Sequence, residues 1–326
     1  MVPNRIRYLI WVMITGGLLW MGGCAQRGES EILAAEKKHS EKTKATPYTG
    51  MLSGYNLNSP TRAFELPAEL REASEVTDVS LSTVAMVQDE VGTIFRFDLQ
   101  SGKVVQEVSF GPPGDYEGMA RIGTTMYVLK SNGTLYEVKN WTEESPQVVK
   151  HKLQVPAKDN EGLCYDPVTQ HLLVSPKSRW KSGKKKQRPV FSVSKDNRTM
   201  SEEPVFVLNI GDLLSFAKDH SLAFPTKKKK HKNKVKPDLH FMPASLAVHP
   251  VTHDIYMISA VDNVLISFNR KGQVAGFQML DRKRFPQPEG LAFLSDGTLV
   301  IASEAGKRKP MLYTFAWFIQ SADSSN

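Results

Sequence analysis

The sequence predicts an all-β fold, a β-propeller of five blades that an N-terminal strand closes. Three segments place a carboxylate and a glycine directly before a short apolar run, at residues 287–293 (QPEGLAF), 115–120 (DYEGMA) and 159–165 (DNEGLCY). Two weaker copies, at residues 73–76 and 243–248, lack the acid. The reference positions are 74, 117, 161, 244 and 289, so most neighbouring copies are 43 to 45 residues apart. A period in the low forties, filled with short strands and turns, is typical of propeller blades.

The N-terminal segment has the pattern of a bacterial export signal. Arg5 and Arg7 precede an apolar core at residues 8–19, and Met21-Gly22-Gly23-Cys24 resembles a lipobox. The apolar run is too short for a comfortable membrane span. We therefore expect a lipoprotein signal peptide at 1–23 and a lipid anchor on Cys24, with a plain signal peptide as the alternative. Ala25, by resemblance to Gram-negative lipoproteins, favours the outer membrane, with the protein periplasmic or surface-exposed. Residues 24–50 are polar and predict a flexible tether.

The propeller is expected at residues 51–320. The last copy of the repeat supplies only three strands, and a blade needs four. A strand before the first repeat is therefore expected to complete the last blade. The turns Gly102 and Asn132-Gly133 supply the positive φ that tight hairpins need. The gap of 83 residues between positions 161 and 244 leaves a sixth blade as an alternative. Residues 211–217 (GDLLSFA) indicate a short helix instead, so five blades with a basic insertion at about 211–242 is our prediction.

The distribution of charge along the chain bears on whether the protein binds nucleic acid. The chain of 326 residues carries a net charge of +8, but residues 179–188 hold six positive residues and 227–236 hold seven. The rest of the chain is therefore acidic, at −5. This confined basicity argues against a nucleic-acid-binding face. The two runs could contact anionic lipid head groups or remain solvated.

With Cys24 lipidated, Cys164 has no partner for an intramolecular disulfide, and its apolar strand predicts a buried, inert thiol.

Several motifs together resemble the SdiA-regulated family of bacterial β-propeller lipoproteins. They are Val87-Gln88-Asp89-Glu90, Gly114-Asp115-Tyr116-Glu117-Gly118, Asn160 to Pro167, Ala247 to Thr252 and Phe285 to Gly290. The resemblance covers about residues 54–318 and implies the fold more than an activity. More distantly, the chain is similar to phytase-like esterase and lactonase propellers, which hold calcium at the channel mouth. It departs from that pattern at Ala244, where an oxygen-bearing residue is usual.

The repeated acids form the candidate site. In a propeller the innermost strand of each blade lines the central channel, so Glu117, Glu161 and Glu289 are expected to converge at one rim. Ser74 and Ala244 would complete this ring, and the ends of the second strands would add residues nearby. Those residues are Asp89, Lys130, Lys177, Ser259 and Glu304.

Three roles remain open for this rim. Three carboxylates and a hydroxyl could hold calcium, which takes six to eight oxygen ligands. Alternatively, Lys130 and Lys177 could neutralise the acids in a salt-bridged ring. In the third reading, each Glu accepts hydrogen bonds from backbone N–H groups of the next blade and fixes the ring.

The sequence favours a non-enzymatic binding or scaffold module in the cell envelope. Its expected partners are the membrane, through lipidated Cys24, and a small ligand or an envelope protein, and a monomer is expected. The alternative is a calcium-dependent hydrolase of phosphoesters or lactones that uses Glu117, Glu161 and Glu289. Nucleophile-elbow, phosphate-loop and zinc-spacing motifs are absent from the sequence. The eight histidines are scattered along the sequence and are expected at the surface or in turns.

Overall fold

A computed structural model describes residues 50–177, 179–196, 198–229, 232–304 and 306–318. The predicted signal peptide, Cys24 and nearly all of the tether lie outside these residues. In the described part of the chain, no helix is long and apolar enough to cross a membrane.

Five four-stranded antiparallel sheets form the blades, as predicted. Blade one contains β2 (Ala73–Ser80), β3 (Thr83–Gln88), β4 (Thr93–Asp98) and β5 (Lys103–Ser109). Blade two contains β6 (Tyr116–Ile122), β7 (Thr125–Lys130), β8 (Thr134–Lys139) and β9 (Gln147–Lys152). Blade three contains β10 (Asn160–Asp166), β11 (His171–Pro176), β12 (Gln187–Ser194) and β13 (Phe206–Asn209). Blade four contains β16 (Ser245–Val248), β17 (Ile255–Ser259), β18 (Val264–Phe268) and β19 (Val274–Met279).

Blade five joins the two ends of the propeller. It contains β20 (Gln287–Phe293), β21 (Leu299–Glu304), β22 (Met311–Phe315) and, from the N-terminal side, β1 (Arg62–Glu65). Strand β1 pairs antiparallel with β22, with Arg62 opposite Thr314 and Glu65 opposite Met311. The predicted closure by an N-terminal strand is therefore confirmed. A 3-10 helix, Ala68–Leu70, leads from β1 into blade one.

The hydrophobic core is divided among the five interfaces between blades. Each innermost strand, which is β2, β6, β10, β16 or β20, contacts the innermost strands of both neighbouring blades. Five clusters of buried apolar residues lie between successive blades, one at each interface. Because β1 belongs to blade five, its Phe64 packs against Phe97 of blade one, with ring centroids 5.6 Å apart. Apolar burial at every interface thus holds the ring closed.

The insertion between blades three and four contains no further blade. Helix α1 (Ile210–Asp219) follows β13 directly, and a two-stranded hairpin of β14 (Thr226–Lys229) and β15 (Lys232–Pro237) comes after it. The helix buries Ile210, Leu213 and Ala217 in the cluster between blades three and four. The long gap in the repeat therefore holds an insertion rather than a sixth blade.

Two expectations about single side chains have different outcomes. Cys164 is buried, and burial raises the pKa of its thiol well above the usual value, which agrees with an inert cysteine. His249, which was expected at the surface or in a turn, lies directly before a turn and is fully buried. Its Nε2 lies 2.9 Å from the Tyr55 hydroxyl, and its Nδ1 accepts hydrogen bonds from the backbone N–H groups of Val251 and Thr252. The histidine therefore fixes a turn from inside the protein.

Removing the Phe64 ring tests how far the closing strand stabilises the propeller. We expect Phe64→Ala to lower the free energy of unfolding by about 3 kcal/mol, since it leaves a cavity between blades five and one. Val105→Ala, on the exposed face of β5, is the matched control and should change stability by less than about 0.5 kcal/mol. Urea unfolding monitored by tryptophan fluorescence gives both values. Equal effects of the two substitutions would contradict a stabilising role for the closing strand.

Candidate functional site

Four innermost strands carry a β-bulge at the same position. In β6, Tyr116 pairs with Lys130 and Gly118 with Leu129, so that Glu117 is the extra residue. Ser74, Glu161 and Glu289 are the extra residues of β2, β10 and β20. In blade four, Ala244 lies just before β16 at the corresponding level. The sequence repeat therefore aligns residues that are structurally equivalent, and bulges re-aim the side chains they carry.

The predicted glutamates come together at one end of the channel. Their negative charges act on one another: Glu161 raises the pKa of Glu117 and of Glu289, and Glu304 raises that of Glu289. Lys177 lies among them, with its Nζ 3.1 Å from a carboxyl oxygen of Glu161. We call this group the acidic mouth. Its members are Asp89, Asp115, Glu117, Glu161, Glu289, Glu304 and Lys177.

Burial is the main reason that these acids resist ionisation. It raises the pKa of Glu117 to about 9, of Glu289 to about 8 and of Glu304 to about 7, and neighbouring carboxylates add to each shift. Burial and the charges of Glu72 and Glu90 raise the pKa of Asp89 to about 6. Near neutral pH the acidic mouth is therefore partly protonated, and its charge changes across the physiological range.

The predicted rim residues take different positions. The Ser74 hydroxyl donates to the backbone oxygen of Tyr116 at 2.6 Å and so ties blade one to blade two. Lys130 lies over the Tyr116 ring, 5.0 Å from its centroid. Lys177 is thus the lysine that pairs with a glutamate of the rim, while Lys130 stacks on an aromatic ring. Glu304 accepts a hydrogen bond of 2.8 Å from the Gln287 side-chain amide. The Ser259 hydroxyl accepts one from the backbone N–H of Met242.

Asp115 is a member of the mouth that the sequence analysis did not select. Glu117 shares a hydrogen bond with the Asp115 carboxylate, which in turn accepts from the Ser131 hydroxyl. An aspartate also stands two residues before Glu161, at Asp159, and its charge raises the pKa of Glu161. This repeated acid at the same offset was the signal that could have identified Asp115.

Glu75 is the second residue that was missed. It stands where blades two, three and five have Gly118, Gly162 and Gly290, and it is fully buried. Its carboxyl accepts from the N–H groups of Val76 and Leu291, and the Ser245 hydroxyl lies 2.8 Å from both of its oxygens. Glu75 therefore joins blades one, four and five, and burial raises its pKa well above the usual value. The raised pKa favours its protonated form.

The three predicted glutamates do not have this bonding pattern. Within the described residues, Glu117 bonds to Asp115, Glu161 bonds to Lys177, and the Glu289 side chain makes no hydrogen bond. A carboxyl that fixes a fold accepts several N–H or O–H donors, as Glu75 does. The carboxyls of the mouth therefore make fewer hydrogen bonds than a carboxyl that fixes the fold.

The side chains of the mouth are not arranged as a metal site. Among the described residues, no group of three or more His, Cys, Asp or Glu side chains could hold a metal ion. The donors at the mouth are nevertheless all carboxyl oxygens, which suit hard cations. A metal ion would need side chains of the mouth to draw together.

Comparisons with known proteins identify the architecture. No protein-family model matches the chain, and neither does any curated protein. A glutaminyl cyclase from Myxococcus xanthus is similar in structure, with a TM-score of 0.52, 14% identity, and coverage of 81% of this chain and 97% of that one. A streptogramin B lyase aligns with a TM-score of 0.45, 10% identity, and coverage of 78% and 97% respectively. The similarity to the glutaminyl cyclase shows the propeller fold alone.

Replacing Glu75 tests whether a neutral carboxyl holds the centre of the ring. Glu75→Ala should lower the free energy of unfolding by about 3 kcal/mol, because it removes three hydrogen bonds and leaves buried donors unpaired. Glu75→Gln keeps a neutral group of the same shape and should change stability little at about pH 5.

The pH dependence of stability should differ between the wild type and Glu75→Gln. The pKa of Glu75 is higher in the folded protein than in the unfolded chain, where it is 4.5. The stabilisation that protonated Glu75 provides is therefore complete below pH 4.5 and declines as the pH rises above that value. Urea unfolding should therefore show Glu75→Gln gaining on the wild type as the pH rises above about 5. Glu107→Gln, exposed on β5, should follow the wild type. The same slope for wild type and Glu75→Gln would contradict a buried proton on Glu75.

Proposed function

We propose that the protein is a binding module of the cell envelope whose acidic mouth takes up a cationic ligand. A five-bladed propeller can serve as a binding module or as the scaffold of an enzyme. The observation that carries the proposal is the set of partly buried carboxyls at the mouth that lack the bonds of a structural network. Glu289 is the strongest case, since it is partly buried, makes no hydrogen bond among the described residues, and has a pKa that burial raises to about 8.

The chemistry of the mouth favours two kinds of cation. Lys177 supports a protonated amine, because its own ammonium group sits against Glu161 at 3.1 Å. The purely carboxylate donor set supports calcium, provided that side chains move together to complete its coordination. Either cation favours the ionised form of the acids and so releases protons on binding.

The envelope location rests on the N-terminal motif, and the motifs quoted above support membership of the SdiA-regulated family. In this proposal Cys24 carries the lipid and the tether holds the propeller near the membrane. Cys24→Ser should then move the protein from the membrane fraction to the soluble periplasmic fraction after export. Labelling with a fatty-acid analogue checks the modification directly, and label retained by Cys24→Ser would contradict it.

Calorimetric titration with calcium chloride, and separately with putrescine, tests the mouth. We expect saturable binding that strengthens by about tenfold or more from about pH 6 to about pH 9, since protons on Glu304, Glu289 and Glu117 compete with the cation. The heat should depend on the ionisation enthalpy of the buffer, which reports the released protons.

Two variants make this titration specific. Glu289→Gln should weaken binding, whereas Glu144→Gln, in an exposed loop, should leave it unchanged. Absence of saturable binding by both cations, or equal weakening in both variants, would refute the proposal. A Glu304 pKa of about 7 also suits a general acid or base. EDTA-sensitive turnover of chromogenic phosphate or lactone substrates would therefore favour the hydrolase over the binding module.

A further inference from the structure

The two lysine-rich runs meet in a cleft that lies apart from the acidic mouth. The cleft has a volume of about 750 Å3 and is lined by the loop between β11 and β12, the start of α1 and the segment after β15. Lys185 and Lys186 come from the first basic run and Lys236 from the second. We call this site the basic cleft. Its volume is in the range of small-molecule pockets.

A buried arginine brings these two segments together. Arg188 is 5% exposed, and its guanidinium donates to the backbone oxygens of Phe241 at 2.6 Å, His240 at 2.7 Å and Lys185 at 3.0 Å. On the other side, the Asp262 carboxylate accepts from the backbone N–H groups of His240 and Phe241. The backbone on both sides of the cleft is therefore held by charge-assisted hydrogen bonds.

The charge of the cleft is predominantly positive. Lys185, Lys186 and Lys236 are exposed along its rim. The acid that lines it, Asp238, forms an ion pair with Lys227, and its Oδ1 lies 3.5 Å from His240 Nε2. Since Asp238 is already engaged, the lysine ammonium groups are left to attract an anion.

The floor of the cleft is apolar. Ile210 and Leu214 of α1 line it, together with Leu239. The backbone N–H of Ile210 donates to the Lys186 oxygen at 3.0 Å, which fixes the helix beside the basic loop. An apolar floor beneath a rim of lysines matches a ligand with an anionic head and an aliphatic body.

We propose that the basic cleft binds an anionic amphiphile as a single molecule. Its phosphate or carboxylate head lies between Lys185, Lys186 and Lys236, and its aliphatic chain lies against Ile210, Leu214 and Leu239. This site is independent of the cation proposed for the acidic mouth. It accounts for the two basic runs, which that function leaves unexplained.

Titration with monomeric decyl phosphate, below its micelle concentration, tests this site. We expect saturable binding with one site per chain, which weakens by about tenfold or more in the double variant Lys185→Glu/Lys186→Glu. The double variant Lys103→Glu/Lys271→Glu makes the same change in net charge at exposed positions elsewhere and should bind as the wild type does. Circular dichroism spectra and thermal unfolding verify that each variant is folded.

Three other probes separate the sources of an anionic head group. Inorganic phosphate should bind more weakly than decyl phosphate, because it does not contact the apolar floor. Decyltrimethylammonium should not displace decyl phosphate from the basic cleft, because the lysines repel its positive charge. Equal affinity for inorganic phosphate and decyl phosphate would overturn the amphiphile, and equal weakening in the two double variants would overturn the cleft. Binding to anionic phospholipid vesicles without binding of monomeric decyl phosphate would also overturn the proposal in favour of a membrane surface.

Discussion

The close approach of the innermost strands at one level of the channel is the constraint on which the structure depends. A Cβ atom at Gly118 would lie 2.7 Å from the Glu161 backbone oxygen, and one at Gly162 would lie 2.6 Å from Leu246 Cδ2. At Gly290 it would lie 3.0 Å from the Val76 nitrogen. In blades two, three and five the strands pack too tightly to leave room for a side chain at this level. The glycine of the repeated motif is thus a packing requirement, and it sets how near the residues beside it must come.

The acidic mouth follows from this packing. The bulged residues lie one position before the glycines, so the strands that converge at the glycine level also bring Glu117, Glu161 and Glu289 together. On the other side of that level, a cavity of about 310 Å3 is lined by aliphatic side chains such as Met119 and Leu291. Glu75 and Ser245 occupy the glycine level in the two remaining blades and hydrogen-bond to each other. Across the level where Glu75 joins blades, the channel thus changes from a group of carboxyls to a mixed lining, in which aliphatic side chains lie beside the ion pair of Asp78 and Arg121.

The sequence predicted the parts of this arrangement that repetition encodes. Five blades, the closing strand and the equivalence of positions 74, 117, 161 and 289 all follow from turns and strands that recur along the chain. Glu75 could not be assigned in this way, because it departs from the repeat and its partners Ser245 and Leu291 are distant in sequence. The burial of His249 depends on Tyr55, which precedes the repeats. The meeting of the two basic runs depends on hydrogen bonds of Arg188 that no local pattern encodes.

The difference between the acids of the mouth and Glu75 bears on what the mouth is for. Glu75 has a pKa that burial raises well above the usual value and has several hydrogen-bond donors, so its protonated form is favoured and it stabilises the ring. Glu289 is partly buried and has no such donors in the described part of the chain, and burial raises its pKa to about 8, which disfavours its ionised form. A glutamine at that position would avoid this cost and could still accept a hydrogen bond. A purely structural ring gives a reason for Glu161, whose ionised form pairs with Lys177, but gives none for the carboxyl of Glu289. The proposed cationic ligand would supply one, because its positive charge would add to that of Lys177 in favouring the ionised form.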